Sequence, residues 1–128
     1  MAMKYVRHLV FSLLFFTSCR NSGEKQIVGP YYIATDPAGP YKTLYYSLPS
    51  GLMAERIQNV DMVGYTADFV FVKSADKFYC INRTQDRAAD SGDSVVQKAI
   101  SQPLTATAFA VVLDSLGLVD FTFQYAAI

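Results

Sequence analysis

The sequence predicts an α+β domain: an antiparallel β-sheet meander of about five to seven strands, one C-terminal helix packed on it, and a final short strand. Three observations carry that expectation. Between residues 27 and 82, short runs rich in β-branched and aromatic residues are separated by Pro, Gly, Asp and Ser. Beyond Pro103 the apolar residues change to the spacing of a helix face. The last stretch, residues 118–125, returns to an aromatic, strand-like composition.

Taken in order, residues 20–26 (RNSGEKQ) are polar and read as a flexible tether. Tyr31-Tyr32-Ile33-Ala34-Thr35 is the first strand, closed by Asp36-Pro37-Ala38-Gly39-Pro40. Residues 41–48 form the second, ended by Pro49-Ser50-Gly51. Residues 53–60 form a third in which Glu55, Arg56 and Gln58 alternate imperfectly with Ile57 and Val60. Residues 62–65 extend it, with Gly64 at a bend or bulge. Residues 69–73 and 77–82 make a hairpin joined by Ser74-Ala75-Asp76. Residues 83–94 are charged and read as a solvated loop, and residues 95–100 as a short strand or turn. Thr105 is placed to cap a helix through its hydroxyl. Phe109, Val112, Leu113 and Leu116 then fall on one apolar stripe, and Gly117 supplies a left-handed stop.

The first nineteen residues have a different character. Lys4 and Arg7 precede the apolar run 9–16, which is followed by Thr17-Ser18-Cys19. As a helix that run would extend about 12 Å, too short for roughly 30 Å of hydrocarbon. Phe16-Thr17-Ser18-Cys19 resembles the cleavage box of a bacterial lipoprotein signal peptide. The resemblance implies three segments: a signal peptide at 1–18, a tether at 19–26 beginning with lipidated Cys19, and one domain at 27–128. It also implies acyl chains (palmitate among them) on Cys19 as the contact with a membrane. Two or more chains anchor stably where one does not. Arg20 is not the Asp of inner-membrane retention, which points to the outer membrane, on its periplasmic or surface face. The alternatives are an ordinary cleaved signal with a coincidental cysteine and, less favoured, a buried apolar N-terminal helix of a cytosolic protein.

Removing residues 1–18 leaves 110 of the 128 residues, enough for a single core without disulfides. Lys4 and Arg7 leave with the leader, so nine basic residues face eleven acidic ones, a net charge of −2. That balance provides no footprint for nucleic acid. Cys80 is the only other thiol and sits in a strand-like run, which predicts burial. The only histidine, His8, belongs to the leader. The mature domain therefore has no Ser–His or Cys–His machinery and no histidine-ligated metal site. No phosphate-binding glycine motif occurs.

Val63-Gly64-Tyr65, Phe78-Tyr79-Cys80-Ile81-Asn82, Gln102-Pro103-Leu104-Thr105, Phe109 and Leu116-Gly117-Leu118 together resemble a family of small uncharacterised bacterial lipoproteins. The resemblance covers about residues 32–123, implies the same α+β fold, and brings no catalytic residue with it.

Carboxylates and tyrosines remain as candidates. Asp86, Asp90 and Asp93 could gather around calcium, but their spacing does not match the D-x-D-x-D-G loop and Arg83 and Arg87 lie among them. Glu55 with Asp61 or Asp68 could form a glycosidase pair, against the ordinary role of turn aspartates. Within Tyr31-Tyr32 and Tyr45-Tyr46, alternation sends neighbouring rings to opposite faces. One ring of each pair is then free to bind a partner unless a second layer covers it. Tyr32, Tyr45 and Tyr46 are the candidate binding surface. The reading that follows is a non-enzymatic, lipid-anchored envelope protein that binds another envelope protein or a glycan, with no catalytic residue, metal or cofactor. The alternatives are a carboxylate-dependent hydrolase of envelope glycans and a structural lipoprotein.

Overall fold

The computed structural model describes residues 24–126. The expected leader at 1–18, Cys19 and residues 20–23 of the expected tether lie outside the described residues. Two antiparallel four-stranded sheets carry the fold. The first is a meander of β1 (Glu24–Val28), β2 (Tyr31–Thr35), β3 (Lys42–Ser47) and β4 (Met53–Ile57), in that spatial order. The second holds β5 (Val60–Tyr65), β6 (Phe69–Ser74), β7 (Lys77–Asn82) and the short C-terminal β8 (Tyr125–Ala126), in the order β7-β6-β5-β8. Among the described residues two helices, α1 (Ser94–Ala99) and α2 (Ala106–Ser115), complete it. The α+β class and the final short strand are as expected, with the strands divided between two sheets.

The division happens at Gln58-Asn59, inside the stretch expected to be one continuous strand. Asn59 has φ of 53°, a left-handed conformation that asparagine tolerates better than branched residues. The Ser74 hydroxyl donates to the Gln58 carbonyl at 2.9 Å, tying this corner to the end of β6. The chain thus leaves one sheet and enters the other within two residues.

Strand alternation sorts the core into two compartments. Ile27, Tyr31, Ile33, Leu44, Val63, Val70, Val72 and Ile81 fill the space between the sheets. On the opposite face of the second sheet, Phe71 and Cys80 meet Phe109 of α2. Phe78 stacks on Phe109 with ring centroids 4.6 Å apart, and Phe121 meets Phe71 edge-on at 4.8 Å. The second sheet is therefore covered on both faces, which is why β6 reads as an unbroken apolar run.

Helix α2 begins as the sequence predicts, with the Thr105 hydroxyl accepting from the Ala108 N–H at 3.1 Å. Gly117 ends it at φ of 72°. Of the expected stripe, Phe109 is buried and Val112 and Leu113 are half-buried, whereas Leu116 at the helix terminus is exposed.

Three local expectations are corrected. Glu24, Lys25 and Gln26, assigned to the tether, open β1 because their backbone pairs with β2. Residues 95–100 are helical through Ala99, because the Asp93 side chain accepts from the N–H groups of Val95 and Val96. Residues 118–123 are irregular, and only Tyr125 and Ala126 pair, with Val63 and Met62. The Gln124 side chain does the strand's work there, accepting from Tyr65 N–H at 2.7 Å and donating to Tyr65 C=O at 3.2 Å. Gly64 makes this possible, since a Cβ on it would lie 2.5 Å from Phe121 Cζ.

Candidate functional site

Strand register decides which tyrosines share a face. Tyr32 on β2 is opposite Tyr45 on β3, and Tyr45 is opposite Glu55 on β4. Directly paired residues project to the same side, so Tyr32, Tyr45 and Glu55 form one row across the outer face of the first sheet. Tyr46 does not join them. It pairs with Tyr31 on the inner face, meets that ring edge-on at 5.3 Å and packs against the inter-sheet core. Tyr46 is therefore a core-facing ring, and the candidate surface contracts to Tyr32 and Tyr45. Both are half-buried, and burial followed by the nearby Asp36 charge raises the Tyr45 hydroxyl above the ordinary tyrosine value, with Thr43 opposing. Asp36 is held by two donors, Ala38 N–H at 2.7 Å and the Thr43 hydroxyl at 2.9 Å.

A bulge in β4 produces the most unusual part of the site. Leu44 pairs with Ile57 and Tyr45 with Glu55, so Arg56 is the extra residue between them. The bulge turns both Arg56 and Ile57 inward. The Arg56 guanidinium is closed off from solvent, as is its partner Asp86. Arg56 Nε lies 3.0 and 3.2 Å from the two Asp86 oxygens. Arg56 Nη1 donates to the Glu55 carbonyl at 3.2 Å and Nη2 to the Arg87 carbonyl at 2.8 Å. The group also lies over the Tyr46 ring, 4.7 Å from its centroid. Asp86 accepts further from the Tyr31 hydroxyl at 2.7 Å and from Arg87 N–H at 2.9 Å. Burial first, and then the bond to Asp86, hold the Tyr31 hydroxyl far above its ordinary ionisation range.

Residues 83–94 form the exposed loop expected of them, with Asp86 as its one buried residue. Asp86 anchors the segment to β4. Arg87 turns outward to Asp93 at 2.6 Å, a bond that raises the Arg87 guanidinium and lowers the Asp93 carboxyl from their usual values. Asp90 accepts from Gly92 N–H in a turn. The three aspartates therefore have separate tasks, and among the described residues no group of three or more His, Cys, Asp or Glu is placed to hold a metal ion.

Between β4 and β7, the outermost strands on this side, lies an open cleft of about 580 Å³. Glu55, Arg56 and the corner residues Gln58 and Asn59 form one wall, and Ser74, Tyr79 and Ser91 contribute to the others. Glu55 thus belongs both to the tyrosine row and to the cleft. Its Oε1 is buried and has no hydrogen-bond partner, alone among the buried side-chain polar atoms of the described residues. Neither Asp61 nor Asp68 lines this cleft. Asp61 is on β5, 3.9 Å from Lys73, and the Asp68 carbonyl accepts from Arg83 N–H in the β5–β6 turn. The glycosidase pairing of Glu55 with either one is not assembled. Cys80 is buried and free as expected, and burial pushes its thiol up to about 11 against the opposing Ser101 bond.

Sequence reasoning missed the Arg56–Asp86 pair. The only local signal was a charge beside Ile57 in an otherwise strand-like stretch, and nothing local designates Asp86 thirty residues on. Comparisons with protein-family models, curated proteins and solved structures give no match to this chain.

Proposed function

We propose that this chain is a lipid-anchored protein of the bacterial cell envelope, and that its domain binds another envelope component without catalysing a reaction. The leader and Cys19 are the basis for the anchor, on the resemblance to lipoproteins set out above. The observation that carries the binding role is the Tyr32–Tyr45–Glu55 row, which runs to the mouth of the β4–β7 cleft. Half-buried tyrosines present wide contact area with little rotamer freedom to lose. Pairing within a sheet whose other face is core fixes the backbone that carries each ring. The site is thus preorganised, which lowers the entropic cost of association.

Hydrolysis of envelope glycans is the less favoured reading. A retaining or inverting glycosidase needs two carboxyl groups about 5–10 Å apart across the bond it breaks. Glu55 lines the cleft, while Asp86 behind it is bound to Arg56, Tyr31 and the Arg87 amide.

The test uses the acylated full chain as bait for envelope components, beside a Tyr32→Ser, Tyr45→Ser double variant. Both proteins should fold and remain membrane-bound. The wild type should retain a component that the double variant releases. Equal retention by the two would remove the tyrosine row from the account.

A further inference from the structure

Resting on the lipid anchor of that reading, we infer that the β2–β3 loop, residues 36–41, seats this domain end-on against the headgroup layer of the membrane that holds Cys19. The chain between the anchor and the fold is short. β1 begins at Glu24, so four residues, 20–23, separate it from Cys19. Even fully extended, the steps from Cys19 to Glu24 reach about 18 Å. The domain is therefore held close to the lipid, and by one end.

Strand register says which end. Glu24 pairs with Ala34 and Thr35 with Lys42, so the start of β1, the end of β2 and the start of β3 lie together. Residues 36–41 join β2 to β3 there. Adjacent strands are about 4.8 Å apart, which sets the root of the loop within about 9 Å of Glu24. The turns at residues 29–30 and 49–51 lie at the opposite end, a strand's length away.

The chemistry of the loop suits an interface. Its sequence is Asp36-Pro37-Ala38-Gly39-Pro40-Tyr41. Asp36, its one charge, is buried and satisfied by Ala38 N–H and the Thr43 hydroxyl. Pro37, Ala38 and Pro40 are left exposed, with no polar side-chain group among them. Tyr41 is half-buried, its ring so close over Gly39 that a Cβ there would lie 2.7 Å from Tyr41 Cε1. A tyrosine beside apolar residues suits the depth of lipid headgroups. Pro37 and Pro40 each fix a φ angle, so the loop has little freedom to lose on contact. Lys42 follows, its Nζ 2.9 Å from the Thr35 hydroxyl, on a stem long enough to reach phosphate. Glu24 and Lys25, both exposed, balance each other at the same end, so the contact is made through the loop.

The experiment places the acylated full chain in phosphatidylcholine nanodiscs containing a lipid with a nitroxide on its headgroup, and reads the loss of each backbone amide NMR signal. Mass spectrometry first reads Cys19 in that sample. The amides of Ala38, Gly39, Tyr41 and Lys42 should lose most of their intensity, while those of Gly29, Gly51 and Leu52 keep theirs. Ala38→Glu, at an exposed position, should weaken the losses at the loop while the chain stays membrane-bound. If that variant fails to fold, the pattern of the unmodified protein decides by itself. Losses centred on Tyr32 and Tyr45, centred on Val111 and Val119, spread evenly over the domain, or unchanged in Ala38→Glu would overturn the assignment. A bare Cys19 would remove the anchor and the orientation together. Failure of the partner-binding role is separate, since the Tyr32→Ser, Tyr45→Ser comparison reads it.

Discussion

Replacing Asp86 by Asn keeps the side chain's shape and removes the charge that Arg56 faces. The Arg56 and Asp86 side chains have no solvent exposure, so water cannot take the place of the lost carboxylate. Removing one member of a buried pair typically costs about 3–5 kcal/mol, because it strands the other charge. Arg56 retains its bonds to the Glu55 and Arg87 carbonyls and its place over Tyr46, which argues for the lower half of that range. Arg56→Met strands Asp86 instead, and Asp86 still keeps the Tyr31 hydroxyl and Arg87 N–H as donors. About 3 kcal/mol is expected for each single change. The double variant should fall short of their sum by about 2–3 kcal/mol, since the second change removes the charge that the first exposed. Urea unfolding followed by circular dichroism reads all four corners of the cycle. With a slope of about 1–3 kcal/mol per molar, each single change should lower the midpoint by roughly 1–3 M. Additive losses, or single losses below about 1 kcal/mol, would refute the claim that this pair is a coupled, desolvated unit. The result bears on the site directly, because the same guanidinium holds the Glu55 backbone at the cleft.

Phe109→Ala should cost about 3–5 kcal/mol in the same denaturation assay, since Phe109 is buried and stacked on Phe78; no loss would detach α2 from the second sheet. Raising the pH should destabilise the fold through Tyr31. Its folded ionisation lies above the unfolded value of about 10, so the unfolded chain loses its proton first, and the stabilisation present below pH 10 declines above it. Tyr31→Phe should flatten that decline in a pH series of unfolding midpoints, and an unchanged slope would assign it to other groups. The native protein's Cys19 should carry acyl chains by mass spectrometry, and a bare thiol or an unprocessed leader would remove the envelope assignment.

The legible parts of this fold were those with local signals. The β6–β7 hairpin was read from two dense runs around a short turn, and α2 from its Thr105 cap, apolar spacing and Gly117 stop. The illegible parts depended on distant partners. Glu24, Lys25 and Gln26 are polar because β1 is an edge strand with solvent around it, and only pairing with β2 makes them extended. Helix α1 is six residues long, too short to establish a period, and rests on the Asp93 cap. The split into two sheets turns on Gln58-Asn59, where continuing apolar residues hid a corner.

The site followed the same division. Alternation alone placed one ring of each tyrosine pair outward, and register then identified them as Tyr32 and Tyr45. Tyr46 was misplaced because residue spacing cannot say which ring of a pair faces the core. Glu55 is legible in the sequence only as half of a carboxylate pair. Its meaning came from the bulge that turns Arg56 inward and leaves Glu55 in line with Tyr45.

Site-resolved photo-crosslinking in living cells tests the binding face most directly. A benzophenone amino acid would replace Tyr32 or Tyr45 on the outer face of the first sheet, and Val111, exposed on α2 beyond the second sheet, as the control. Irradiation should yield a discrete adduct from the two tyrosine positions and none from Val111. Adducts from Val111 alone, or none from Tyr32 and Tyr45, would contradict the assignment of the tyrosine row as the surface through which this protein acts.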